Sequence, residues 1–181
     1  AKLVKQADVA DGEQNWLTLS ETVENPALWS HEKPELYDVE VTLEAGGKTV
    51  DRRRCRFGFR KVEIAPMKDG RGPFILLNGK PIKICGVNRH EFHPEYGHAV
   101  PEELIKSDLL LCKANNITAI RTSHYPNSEA FYRLCDELGI LVMSETNLET
   151  HGLARWIPAG DPKWTAACIA RACNMVNRLK N

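Results

Sequence analysis

The sequence has no excess charge, no long apolar run and no cysteine pair with metal-binding spacing. Its 24 lysine and arginine residues are balanced by 24 acidic residues in a chain of 181. Balanced charge argues against nucleic acid or an anionic membrane as a partner. Apolar runs fall well short of the roughly 20 residues that a membrane-spanning helix needs. No apolar core of a signal peptide follows Ala1–Lys5. We therefore expect neither a nucleic-acid partner nor a membrane partner.

None of the six cysteines lies in a Cys-x-x-Cys pair, which disfavours a zinc ribbon or a thioredoxin-type redox site. Cys112, Cys135 and Cys168 fall at apolar positions of helix-like patterns. A buried free cysteine behaves as a small hydrophobic residue, and free thiols persist in reducing compartments. We therefore expect thiols in the core and a cytoplasmic location.

The first third of the chain has the pattern of antiparallel strands. Polar and apolar residues alternate from Leu36 to Leu43, with Leu36 out of phase at the start. The glycines of Ala45–Lys48 indicate a hairpin turn, and a second strand is expected at Thr49–Arg52. Strict alternation is typical of a sheet with one face in water. Residues 1–65 contain too few such strands to close two sheets, so they predict part of a β-sandwich that begins upstream of Ala1. The proline and glycine residues of Pro66–Pro73 indicate a linker.

From residue 66 onward, strands alternate with helices. Apolar strands are predicted at Ile82–Val87, Ile117–Ile120 and Ile140–Met143, and helices at Pro101–Asn115, from Asn127 to Gly139, and after Asp161–Pro162. Short apolar strands between helices predict a parallel sheet that helices cover. The pattern alone fits a doubly wound sheet or a (β/α)8 barrel. The first strand lacks the glycine-rich phosphate loop of a nucleotide-binding sheet, and a barrel would have eight strands where three are predicted.

Polar residues follow each of the three apolar strands. These clusters lie at Asn88–Glu91, at Arg121–His124 and at Glu145–His151. In (β/α)8 enzymes the active site is built at this end of the strands. Loops after strands are often polar in any protein, but three successive clusters with histidine and either arginine or glutamate favour a functional site over ordinary loops.

Several motifs resemble the signatures of family 2 glycoside hydrolases. They are Asn78–Pro81, Gly86–Glu91, Arg121–Pro126 and Asn147–Gly152, with Val23–Ser30 and Pro34–Tyr37 similar to the end of the family's immunoglobulin-like domain. The motifs span nearly the whole chain in the family's order. Glu149–Gly152 and His90–Pro94 are similar to β-galactosidases in particular, whereas Arg121–Pro126 is shared with β-glucuronidases and β-mannosidases of the family.

The resemblance implies a mixed fold in two parts. Residues 1–65 would be the C-terminal part of an immunoglobulin-like antiparallel β-sandwich, and residues 66–181 the first three β/α units of a TIM-barrel catalytic domain. The implied function is that of a retaining β-galactosidase, which hydrolyses terminal β-D-galactosyl residues from substrates such as lactose. Two alternatives stay open: another family 2 enzyme such as a β-glucuronidase, and a non-catalytic module that acts by association or complementation.

The resemblance also implies roles for five residues. His90 and His124 match histidines that contact the sugar, and His124 would also stabilise the transition state. Arg121 matches an arginine beside the nucleophilic carboxylate. Glu149 and His151 match two ligands of an active-site magnesium ion. On residue type alone, a glutamate and a histidine two positions apart suit zinc or manganese better, because magnesium prefers oxygen ligands.

The departures from the family pattern set further expectations. Ser144 stands where the family usually has an aspartate. Trp156 is the one tryptophan that we expect to be available for stacking on a sugar. The family's general acid and nucleophile are not among these residues, so we expect the isolated chain to be inactive, to bind the remaining parts of the enzyme and to form an oligomer. Four strand residues should be partly uncovered in it, namely Val87, Ile120, Leu141 and Val142.

Overall fold

A computed structural model describes residues 18–66, 70, 72–153 and 160–180. Predictions that involve Trp16, Trp156 and most of the linker at 67–71 lie outside the described residues. The strands are β1 Tyr37–Ala45, β2 Lys48–Phe57, β3 Val62–Ala65, β4 Phe74–Leu77, β5 Lys80–Pro81, β6 Gly86–Arg89, β7 Ala119–Thr122 and β8 Leu141–Met143. The helices are α1 Glu102–Ala114, α2 Glu129–Leu138 and α3 Thr165–Leu179, with short 3-10 turns at His151–Leu153 and Pro162–Trp164.

The predicted hairpin in the first third is confirmed. Strands β1 and β2 pair antiparallel from Tyr37 opposite Phe57 to Ala45 opposite Lys48. Side chains alternate between the two faces of a strand. One face of the hairpin therefore carries acidic residues and arginines, and the other carries Val39, Val41 and Leu43, which are all exposed. A second small sheet, with the order β3-β4-β5, follows.

The third sheet is parallel and has the order β6-β7-β8. The sequence predicted that the first strand of this sheet begins at Ile82. In the structure the strand begins at Gly86, and Ile82–Cys85 lies outside the sheet. The amide of Ile82 donates to the carbonyl of Ile75 in β4 at 3.0 Å, so these apolar residues lead from the preceding hairpin into the sheet. A Cβ at Gly86 would lie 2.8 Å from the Ala119 carbonyl oxygen, so glycine permits this close pairing of β6 with β7.

Helices α1 and α2 cover one face of this sheet. The buried cluster between them and the sheet consists of Ile105, Leu109, Ile120, Phe131, Leu134, Cys135 and Ile140. The expectation that Ile120 is uncovered is therefore wrong, because Ile120 is 1% exposed. Alternate residues of β7 face opposite sides, so Ile120 and Thr122 point to the helices while Arg121 points away. Val87 is 40% exposed, as expected, and Leu141 and Val142 are partly buried.

The helix boundaries follow the expected signals, with one correction. Pro101 caps α1, and Gly139 ends α2 in the left-handed conformation with φ of 70°. The N-cap of α2 is Ser128 rather than Asn127. None of the helices in the described parts of the chain is long and apolar enough to cross a membrane.

Trp29 attaches the first third of the chain to the helices of the parallel sheet. Its side chain is 3% exposed, and its indole Nε1 donates to the Asp136 carbonyl oxygen in α2 at 2.8 Å. The Lys113 ammonium of α1 donates to the His31 carbonyl oxygen at 3.1 Å. Gly139 lies directly beneath this contact, where an added Cβ would be 2.5 Å from the same His31 oxygen. The two parts of the chain therefore meet at the C-terminal ends of α1 and α2.

We predict that Gly139→Ala destabilises the protein by at least about 1 kcal/mol more than Gly47→Ala does. Both glycines have φ near 70°, which costs an alanine about 1–2 kcal/mol. Open space surrounds Gly47, whereas an alanine at Gly139 must also displace the His31 backbone. Urea unfolding followed by tryptophan fluorescence measures both variants. Equal shifts of the unfolding midpoint would show that the contact between His31 and Gly139 is loose.

We predict that the purified chain self-associates. The apolar face of the β1–β2 hairpin is exposed, and so are Val87 and Met143 of the parallel sheet. Exposed apolar surfaces of this kind are typical of interaction sites. Sedimentation velocity combined with thermal unfolding at several concentrations should show a concentration-dependent oligomer or aggregate. A monomer with one sharp, concentration-independent transition would contradict this prediction.

Candidate active site

The parallel register brings the polar residues after β6, β7 and β8 to one edge of the sheet. Asn88 pairs with Arg121, and Arg121 pairs with Met143. The residues that follow these positions therefore leave the sheet side by side. In this way His90, His124 and Glu145 come from three different strand ends to one place.

Arg121, His124 and Glu145 form a hydrogen-bonded triad. Arg121 Nε donates to Glu145 Oε1 at 2.7 Å, and Arg121 Nη2 contacts the same oxygen. His124 Nδ1 lies 2.9 Å from the other carboxylate oxygen, Oε2. The backbone amide of Glu145 donates to the buried Thr122 hydroxyl at 3.0 Å. The position of Glu145 is thus fixed by its backbone amide and by the two side chains, Arg121 and His124, that bind its carboxylate.

The surroundings of Glu145 favour its ionised form. Loss of contact with water raises the pKa of its carboxyl group. The hydrogen bonds from Arg121 and His124 and the charge of the guanidinium outweigh that effect, so the pKa lies below its ordinary value. A carboxylate held ionised in this way is an acceptor at neutral pH and a poor proton donor.

His90 and His124, both predicted to contact a sugar, lie next to each other. Their ring centroids are 5.4 Å apart in an edge-to-face arrangement. The Tyr125 hydroxyl lies 3.5 Å from His90 Nδ1 and 3.4 Å from His98 Nδ1. The structure therefore brings together the two predicted histidines and adds Tyr125, which sequence reasoning left without a role.

Glu91, which follows β6, binds the start of α2 next to this edge of the sheet. Its side chain is buried, and its two carboxylate oxygens accept from the backbone amide of Ser128 at 3.1 and 3.2 Å. A carboxylate at a helix N-terminus is favourable because it meets unpaired amides and the positive end of the dipole. Its backbone oxygen accepts from His98 Nδ1 at 2.7 Å, and Arg89 lies 3.8 Å from its side chain. Glu91 thus holds Ser128, the N-cap residue of α2, in place, a role that sequence spacing could not reveal.

Of the two predicted metal ligands, Glu149 lies beside His124 of the triad. Glu149 Oε1 lies 3.9 Å from His124 Nε2, and His151 opens the exposed 3-10 turn. Among the described residues, no group of three or more histidine, cysteine or acidic side chains is arranged to hold a metal ion. Glu149 and His151 alone therefore do not fit a complete magnesium site.

Ser144 has a partner of its own. Its hydroxyl lies 2.9 Å from the Tyr132 hydroxyl, which accepts from the Asn127 amide at 3.0 Å. The serine that replaces the family's usual aspartate therefore connects the end of β8 to α2 through a hydroxyl–hydroxyl hydrogen bond.

Two family models match the chain. Glycosyl hydrolases family 2, TIM barrel domain, matches residues 68–181, and glycosyl hydrolases family 2 matches residues 2–60. These matches confirm the predicted immunoglobulin-like part followed by the start of a TIM barrel. The exact boundary between residues 65 and 66 stays a prediction.

Solved structures of longer proteins resemble the chain. A β-galacturonidase from Eisenbergiella tayi bound to galacturonate is 35% identical over 86% of this chain and 26% of its own, with a TM-score of 0.70. A β-glycosidase from Bacteroides vulgatus is 35% identical over 86% of this chain and 20% of its own, with a TM-score of 0.68. β-Glucuronidase 3 from Bacteroides uniformis is 29% identical over 88% and 19%, with a TM-score of 0.69. The chain thus spans about a quarter or less of these proteins.

We predict that the Glu145 carboxyl titrates below the ordinary glutamate value of about 4.3. Because its folded-state pKa is lowered, its contribution to stability is complete above the unfolded-state value and is lost as pH falls through the folded-state value. Arg121→Gln removes donors and should raise the pKa. A carbon-detected NMR titration of the carboxyl group measures both. A midpoint at or above 4.3 in the unaltered chain would show that the triad does not form in solution.

Proposed function

The chain belongs to family 2 of the glycosyl hydrolases, and on that basis we propose that it forms the sugar-contacting part of a retaining β-galactosidase. The observation that supports this most strongly is the meeting of His90, His124 and the Arg121–Glu145 pair at the C-terminal edge of the parallel sheet. Polar groups that converge at this edge bind the substrate in barrel enzymes.

His90 and His124 would act on the sugar through hydrogen bonds. Positive charge develops on the sugar ring during glycoside hydrolysis, and hydrogen bonds to its hydroxyls that strengthen in the transition state lower the barrier. His124 Nε2 makes no hydrogen bond among the described residues, so it is available for a hydroxyl. His90 adds a second ring beside it.

Arg121 would keep the nucleophilic carboxylate of the complete enzyme ionised while it also binds Glu145. A guanidinium has five N–H donors. Glu145 takes those on Nε and Nη2, and Nη1 lies 3.4 Å from the Asn88 side-chain oxygen. The remaining donors and the positive charge can keep a neighbouring carboxylate ionised, as a nucleophile must be.

A β-uronidase is the second candidate, because the similar structures include a β-glucuronidase and a β-galacturonidase. A uronic acid carries a carboxylate that calls for a cationic partner. Among the described residues, Arg89 is turned towards the helices, where it is paired with Asp108 and lies near Glu91. Arg121 is paired with Glu145, and its remaining donors are assigned to the nucleophilic carboxylate. Neither of these arginines is then left for the carboxylate of a uronic acid, which favours a neutral sugar such as galactose.

We also propose that the complete enzyme binds magnesium at its active site. Glu149 and His151 would supply two ligands, but no step is assigned to the metal because these two donors do not complete a site. We further propose a cytoplasmic location and association with the remaining parts of the enzyme. A purely non-catalytic complementation module would share that association but would not need the histidine pair at the strand ends.

We predict that the 181-residue chain alone does not hydrolyse a chromogenic β-galactoside above the buffer background. Retaining hydrolysis needs two carboxyl groups about 5 Å apart, one of them a proton donor. The lowered pKa of Glu145 makes it unsuited as that donor. Turnover by the purified chain that Glu145→Gln abolishes would contradict this assignment.

In the complete enzyme, we predict that His124→Phe lowers kcat roughly 100-fold while KM changes much less. An interaction made mainly in the transition state shows this behaviour, and loss of one such donor typically costs about this much. His93→Phe is the control, because His93 lies outside the triad. A normal kcat with a raised KM would mean that His124 only holds the substrate.

We also predict that the complete enzyme has a higher kcat/KM for a β-galactoside than for a β-glucuronide with the same chromogenic leaving group. The reason is that the described arginines are paired already. A preference for the glucuronide would favour the uronidase candidate instead. No activity towards either substrate would favour the non-catalytic module.

A further inference from the structure

Glu145 is the one member of the Arg121–His124–Glu145 triad to which the resemblance gives no role. Its carboxylate is about three-quarters buried, with 26% of the side chain exposed. It uses one oxygen for Arg121 and the other for His124. A residue that binds both Arg121 and His124 can fix the orientation of each side chain towards a substrate.

We propose that Glu145 is a positioning residue that holds the neutral imidazole of His124 with its proton on Nδ1, so that Nε2 is left as an acceptor for a sugar hydroxyl. This inference rests on the proposed function for the sugar, although the tautomer itself does not. Glu145 does not touch the substrate in this account and acts through His124.

The tautomer follows from the donors and acceptors around Nδ1. An ionised carboxylate can only accept hydrogen bonds. Nδ1 lies 2.9 Å from Glu145 Oε2, so it must carry the proton for that bond to exist. Arg121 Nη2 lies 3.3 Å from the same Nδ1 and could donate only to its lone pair. The carboxylate contact is shorter, and Arg121 Nη2 already has Glu145 as a partner. The Nδ1–H tautomer is therefore favoured.

Nε2 makes no hydrogen bond among the described residues. The nearest described carboxylate oxygen, Glu149 Oε1, lies 3.9 Å away, beyond hydrogen-bond distance. A neutral ring with the proton on Nδ1 presents a lone pair at Nε2. A sugar hydroxyl can then donate to Nε2 while its own oxygen stays available to another group. The second nitrogen of a histidine commonly fixes the role of the first in this way.

The backbone holds Glu145 in this position. Its amide donates to the Thr122 hydroxyl, and Thr122 is completely buried under the helices. The preceding residue, Ser144, bonds to Tyr132 of α2. Glu145 is therefore anchored to β7 and to α2, and its carboxylate reaches His124 from a support that does not depend on the ligand.

The test is the tautomer of His124, measured by long-range proton–nitrogen NMR at a pH where the ring is neutral. The histidine is assigned through the backbone resonances of the full 181-residue chain. We expect the proton on Nδ1 in the unaltered chain. In Glu145→Leu, Arg121 Nη2 becomes the nearest partner of Nδ1, so the ratio of the Nδ1–H to the Nε2–H form should fall about tenfold or more. Glu145→Asp, which keeps an acceptor, should restore part of the ratio.

Glu95→Leu is the matched control, because Glu95 is an exposed glutamate in the loop after β6 whose carboxylate makes no hydrogen bond among the described residues. It should leave the His124 tautomer unchanged. If Glu145→Leu does not fold, the unaltered chain still decides the question. A proton on Nε2 of His124 in the unaltered chain would overturn the positioning role of Glu145 and leave the proposed function unaffected. An Nδ1–H ring in an inactive complete enzyme would instead keep the positioning role and overturn the function.

Discussion

The ion pair between Arg121 and Glu145 is the contact on which the site depends. It joins the ends of two neighbouring parallel strands, because Arg121 lies within β7 and Glu145 follows β8 by two residues. The pair places a guanidinium and a carboxylate against His124, and so constrains the hydrogen bonds that Nδ1 of that ring can make. A pair that is partly screened from water is stronger than one on the open surface, and loss of one partner leaves the other uncompensated.

The pair can form only because the strands beneath it are fixed. Ile120 of β7 and Phe131 of α2 belong to one buried cluster, which fixes the strand against the helices. Because side chains alternate along a strand, Thr122 then lies on the helix side and Arg121 on the opposite side. Glu91, which follows β6, binds the amide of the N-cap residue of α2, and Trp29 attaches the sandwich segment to the other end of the same helix. The helix α2 is therefore held at both ends, and its position relative to the strand ends is set by contacts far apart in the sequence.

Much of the fold could be predicted from local patterns, but the contacts between distant residues could not. Alternation predicted β1 and β2, and Gly139 predicted the end of α2. The fully apolar stretch Ile82–Cys85 was assigned to a strand, because continuous apolar runs carry no alternation that would show which residues pair. For the same reason nothing showed that Ile120 faces the helices. The cluster of polar residues after the strands was predicted, whereas the partnership of Glu145 with Arg121 and His124 needed the parallel register.

The most direct test of the account is a crystal structure of the complete enzyme with galactose bound. The account predicts a sugar hydroxyl at about 3 Å from His124 Nε2, which is ordinary hydrogen-bond distance. His90 should lie against the same sugar, and Glu145 should still be bonded to Arg121 and His124 without touching the ligand. A sugar bound away from the ends of β6, β7 and β8, or one held directly by the Glu145 carboxylate, would contradict it.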